Sequence, residues 1–184
     1  MLFTVTNDLK ERSLAEELFL TYKEKMYRIA VSILKNSPDA EDAVMDAALS
    51  IVKNISLFSP LPQNKRESLI VIIARNTAIN RYRKNKRGNT VFFDEAYENM
   101  PDNEPTPEEL FIMDESYDVL LGEIMSLEPL YRDIIVMKFL YDRDNKTIAD
   151  LLGIAESTVR VRLWRAKALL ENIRNKNKKR RIMS

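Results

Sequence analysis

The sequence predicts an all-α protein: two small helical domains joined by an acidic, flexible linker. Three observations carry that expectation. Only 3 glycines and 7 prolines punctuate the 184 residues, too few for the turns of a β-sandwich. Apolar residues recur at intervals of three and four over long stretches, the period of one helix face. A proline-containing acidic segment with no hydrophobic period separates two such stretches. Hydrophobic residues make up 45% and charged residues 31%, a balance that supports a packed core.

The first helix follows from Leu14, Leu18, Tyr22, Met26, Ile29 and Ile33. Ser37-Pro38-Asp39 breaks it and can cap the next. That second helix turns Ala40, Ala43, Val44, Ala47, Ile51, Val52 and Ile55 inward. Its other face opens with Asp39, Glu41 and Asp42, acids that suit the first turn of a helix dipole; Asp46 lies too far along for that benefit. A proline-containing loop over 58–66 follows. The run Leu69-Ile70-Val71-Ile72-Ile73-Ala74 reads as a buried helix whose end, from Arg75 to Lys84, emerges as a cationic rod. Tyr82 fits either a half-buried core position or a platform on which a base stacks.

In the second stretch, Thr106-Pro107-Glu108-Glu109 fits an N-cap, a proline at the first helical position and a capping-box acid. Helices are expected over 107–126 and 129–141. Lys146 to Ile154 then carries the helix-turn-helix pattern: apolar Ile148, small Ala149, apolar Leu152, Gly153 in the turn and apolar Ile154. The next helix anchors through Val159, Leu163, Ala166 and Leu170, and is expected to show Ser157, Thr158, Arg160, Arg162, Arg165 and Lys167 outward. In such a motif the start of the second helix reads base edges while its flanks hold phosphates. The expected organisation is a domain over 8–87, a linker over 88–106, a domain over 107–176 and a basic tail over 177–184.

Charge is segregated although the net charge is only +1. Residues 75–87 hold six basic side chains and no acid; Gly88 to Tyr131 holds twelve acids and no base; Arg160 to Arg181 holds ten bases and one acid, Glu171. Two basic blocks on separate units are the footprint of a polyanion-binding protein. Several chemistries are disfavoured. With no cysteine there is no disulfide scaffold and no thiolate metal site. With no histidine the commonest general base and zinc ligand are missing. No catalytic residue, metal site, cofactor or small-molecule substrate is expected, and the chain is read as a non-enzyme. No apolar run approaches the ~20 residues that span a bilayer, and no export signal is evident, so no membrane insertion is expected and a bacterial cytoplasm is the expected address.

Both halves resemble one family. Tyr22-Lys-Glu-Lys-Met-Tyr-Arg28, Asp39-Ala-Glu-Asp42 and Ile73-Ala-Arg-Asn-Thr-Ala-Ile-Asn-Arg-Tyr-Arg83 look like the second conserved region of bacterial sigma factors. Leu127-Glu-Pro-Leu-Tyr-Arg132, Ile148-Ala-Asp-Leu-Leu-Gly-Ile154 and Thr158-Val-Arg-Val-Arg-Leu-Trp-Arg-Ala-Lys167 look like the fourth. Order, linker and length resemble the extracytoplasmic-function class of the sigma-70 family. The resemblance implies core RNA polymerase and promoter DNA as partners and makes an anti-sigma partner plausible. It places polymerase contact on Glu41, Asp42, Met45, Asp46 and Leu49. It places −10 reading and melting on the 59–68 loop with Arg75, Asn76, Asn80, Arg83 and Lys84. It places −35 reading on Ser157, Thr158, Arg160, Arg162 and Arg165. The family usually has Gln then Glu where this chain has Met45 and Asp46, and aromatics near Arg66, Glu67 and Leu69, where this chain has none. The expectation is a diverged subgroup with its own promoter class. A stand-alone helix-turn-helix regulator and a sigma-like interaction module without melting are the competing readings.

Overall fold

A computed structural model describes residues 9–86 and 117–182, with side chains over 9–86 and 119–177. The described residues are helical and contain no strand. They fall into two compact units. The expected linker and the expected helix start at Pro107 lie outside the described residues.

The first unit is a bundle of three mutually packed helices: α1 (Leu9–Leu34), α2 (Ser37–Lys53) and α3 (Gln63–Lys86). α1 ends where Lys35 takes a left-handed backbone (φ 58°) and donates its N–H to the Val31 carbonyl at 3.0 Å. The cap of α2 is then Asn36, one residue before the expected breaker; its side chain accepts from the Asp39 N–H at 3.3 Å, with Pro38 in the first turn. Every α2 position expected inward is buried, together with Ala48. A 3₁₀ turn (Ile55–Leu57) brings Phe58 fully into the core. The stretch expected as a 59–68 loop is shorter than that, because α3 begins at Gln63 directly after Pro62. Arg66 holds this short loop through its guanidinium, Nε to the Phe58 carbonyl at 2.9 Å and Nη2 to the Ser59 carbonyl at 2.8 Å. Lys25 of α1 pairs with Glu67 of α3.

The C-terminal helices are α4 (Tyr117–Ser126), α5 (Pro129–Ile135), a π turn (Val136–Leu140), α6 (Asn145–Leu152) and α7 (Glu156–Ile182); of these, residues up to Ala149 and from Ile154 onward make the second unit. The helix expected over 129–141 thus splits, and the Tyr141 N–H reaches back five residues to the Val136 carbonyl at 3.1 Å. Leu120, Ile124, Leu127, Ile135, Ala166 and Leu170 form the core where α4, α5 and α7 meet. α7 runs through the expected boundary at 176 and continues to Ile182, so the start of the expected basic tail is helix. The continuation has a structural role. Glu123 of α4 is almost wholly buried, yet Arg174 Nε lies 3.1 Å from its Oε2 and Asn177 Nδ2 donates to its Oε1 at 3.1 Å. A buried carboxylate is tolerable only when paired and hydrogen-bonded in this way. Glu123→Gln keeps the shape and removes the negative charge beside Arg174. It should cost about 2 kcal/mol, seen as a lower midpoint in urea unfolding.

Candidate protein and nucleic-acid surfaces

The turn between α6 and α7 sets the direction in which α7 leaves α6. Gly153 has φ +62°, the left-handed conformation that costs an L side chain about 1–2 kcal/mol. The Ile154 N–H bonds the Ala149 carbonyl at 3.1 Å, closing the six-to-one loop of a Schellman motif. At the other end of α6, Asp144 accepts the Thr147 N–H at 2.7 Å. That backbone hydrogen bond, then one from the Thr147 side chain, stabilises the carboxylate and lowers its pKa from the ordinary 3.8. A depressed folded pKa means stability present above the unfolded value and lost as pH falls through the folded one. Asp144→Asn should therefore narrow the stability gap between pH 6 and pH 3, measured by thermal unfolding across that range.

After this turn the start of α7 presents Ser157 and Arg160 to solvent, with Thr158, Arg165 and Lys167 half-buried. Arg160 Nη1 sits 3.4 Å from Glu156 Oε1, an exposed pair one turn apart. Arg162 departs from expectation: it is 3% exposed and belongs to the interior. The reason is register. Residue 162 lies three after Val159 and four before Ala166, both fully buried, so its aliphatic stem covers the core. Trp164, absent from the expected set, is 41% exposed and lies one turn beyond Arg160 on the same face. The signal was available: it is the only tryptophan in the sequence, at i+4 from the leading arginine.

α2 carries the second surface. Glu41, Asp42, Met45, Asp46 and Leu49 are all exposed along one stripe, opposite the buried Ala40, Ala43, Ala47 and Ile51. Two apolar side chains flanked by three acids make a surface suited to docking a protein with apolar and cationic features.

The third surface is the end of α3. Arg83 and Lys84 are exposed. Tyr82 is partly exposed, with Lys86 Nζ 4.7 Å from its ring centroid. Arg75 and Asn80 are half-buried. Asn76 corrects the expectation: it is wholly buried and its Nδ2 donates to the Ile72 carbonyl at 3.0 Å. It follows Ile72 and Ile73 by one turn, on the face that fills the bundle. Arg81, the second base of the expected rod, turns instead toward α2: Nη1 lies 3.0 Å from Asp46 Oδ2, Nε 3.5 Å from Asp39 Oδ1, and Nη2 pairs with Asp42.

A helix-turn-helix with an exposed basic face, and a separate bundle with an acidic and apolar stripe and a cationic helix end, are the features of a DNA-binding protein. Comparison with known proteins agrees. Residues 18–88 match the family description "Sigma-70 region 2" and residues 117–170 match "Sigma-70, region 4". RNA polymerase sigma factor SigV of Bacillus subtilis is 30% identical over 167 residues, covering 88% of this chain and 94% of that protein. ECF RNA polymerase sigma factor SigW of the same organism is 27% identical over 156 residues, covering 81% and 82%. ECF RNA polymerase sigma factor SigE of Mycolicibacterium smegmatis is 24% identical over 170 residues; the alignment covers 92% of this chain but 65% of that longer protein. The chain belongs to the sigma-70 family of RNA polymerase sigma factors and groups with its ECF class.

Proposed function

We propose that this chain binds core RNA polymerase and directs it to promoters bearing −10 and −35 elements. Region 8–87 acts as the polymerase-binding and −10 domain, and region 107–176 as the −35 domain. In this reading Glu41, Asp42, Met45, Asp46 and Leu49 meet polymerase. Arg83 and Lys84, flanked by Arg75 and Asn80, meet −10 DNA. Ser157, Thr158, Arg160, Arg165 and Lys167 meet −35 DNA, joined by Trp164. Asn76 and Arg162 are interior supports of the last two surfaces and are left out. The observation that carries the reading is the exposed mixed stripe on α2, which a stand-alone DNA-binding regulator has no use for. The chain works without catalysis of its own, in the bacterial cytoplasm; among the described residues no helix is long and apolar enough to cross a membrane.

One observation bears on melting. At the positions expected to be aromatic, Arg66 is engaged with loop carbonyls and Leu69 is fully buried. Among the described residues of α3, Tyr82 offers an exposed ring on which an unpaired base can stack. The test combines purified chain, core polymerase and a promoter fragment. Co-elution of chain and polymerase, with permanganate-reactive thymines near −10, supports the reading. Co-elution without reactive thymines points to a factor that docks and does not open DNA. Failure to co-elute contradicts the reading.

A further inference from the structure

Arg81 is placed to control the acidic face of α2. Its side chain is 24% exposed, whereas Asp42 and Asp46, which it contacts, are 63% and 56% exposed. The guanidinium therefore backs the two carboxylates from the protein side and leaves their outer edges open. It touches one oxygen of each, and a carboxylate has about four acceptor sites to offer. Asp39, more enclosed at 28% exposure, is held on both oxygens, by Arg81 Nε and by Asn85 Nδ2 at 2.9 Å, and anchors the assembly. Three carboxylates three and four residues apart on one helix repel one another. A planar guanidinium reaching all three offsets that repulsion and fixes where each side chain points.

We propose that Arg81 is a positioning residue for polymerase binding: it holds Asp42 and Asp46 as a fixed pair of anions that receives cationic side chains of core polymerase. The proposal rests on the reading of α2 given above. Two effects compete when Arg81 is removed. The face gains one net negative charge, which between exposed groups in water tightens binding to a cationic partner by about fivefold at contact distance, and by less once salt screens it. The acids also lose their fixed geometry, and ordering two or three side chains on binding costs about tenfold or more. The second effect is larger, so removal weakens binding.

The experiment measures affinity of the full chain for core polymerase across a salt series, with thermal unfolding alongside, for the natural sequence, Arg81→Met and Arg81→Lys. Arg81→Met keeps the apolar stem and should weaken binding about tenfold across the salt series. Arg81→Lys keeps the charge but not the fork, and should weaken binding about threefold. Both losses should persist well below the melting temperature of each variant, where a role in stability alone changes nothing. If Arg81→Met does not fold, the lysine variant carries the test. Binding by the natural chain with equal or tighter binding by the folded variants overturns the proposal alone. No binding by the natural chain overturns the reading of α2, and the proposal with it.

Discussion

Met45→Lys combined with Leu49→Lys should weaken binding to core polymerase by about 100-fold or more while leaving the fold intact. Both side chains are exposed, at 40% and 37%, and surface substitutions of this kind shift stability by only about ±0.5 kcal/mol. On the proposed docking face they are the apolar anchors, and losing an anchor commonly costs about 2 kcal/mol. Two added cations also set like charges against a cationic partner surface. The choice of sites matters because the Arg81 guanidinium pairs with Asp39, Asp42 and Asp46 and with neither of these side chains. Reversing Asp42 and Asp46 instead would place two ammonium groups beside that guanidinium, so lost binding would arrive with a lower melting temperature. Binding is read by gel filtration with core polymerase, and folding by circular dichroism. A folded Met45→Lys/Leu49→Lys variant that binds normally removes α2 from the interface.

Arg160→Ala should cost selectivity rather than stability. Its ion pair with Glu156 is exposed on both sides, and such pairs contribute about 0–1 kcal/mol. If the guanidinium reads a guanine edge, its loss lowers discrimination at one −35 base pair by about 1–3 kcal/mol, five- to 150-fold. If it holds a phosphate, all promoters weaken alike and the salt slope falls by about 1. Arg162→Ala makes the contrast. That residue is buried among Val159, Leu163 and Ala166 on α7, so its loss should lower the melting temperature and weaken every promoter together. Competition binding with single-base variants of one promoter separates the two patterns. A selective loss from Arg162→Ala with none from Arg160→Ala would reverse the assignment of the face.

What the sequence made legible was periodic or chemically unambiguous. The apolar stripe of α2 was read correctly but for Ala48, because a small-residue helix face has one way to turn inward. The Gly153 turn was readable because the left-handed conformation strongly favours glycine. Charged and amide side chains were harder. Arg162 was assigned outward by residue type and Asn76 to the −10 surface by resemblance, whereas helical register put both on buried faces. The partners of Arg81 lie 35 to 42 positions away along the chain, so no local pattern could have shown that this base of the cationic rod turns to α2. Glu123 has the same history: it looked like one more acid of an acidic stretch, and its partners sit more than fifty residues away on α7. Trp164 was legible and was missed: it was assigned to neither face of the helix, although it stands one turn beyond Arg160.

The most direct measurement is run-off transcription with purified core polymerase and this chain, on a template taken from upstream of its own coding sequence. The account predicts a discrete transcript that requires the chain. That transcript should be lost with Met45→Lys/Leu49→Lys and altered in promoter preference with Arg160→Ala. A chain that binds the same DNA without polymerase at paired symmetric sites, and yields no transcript with it, would contradict the account.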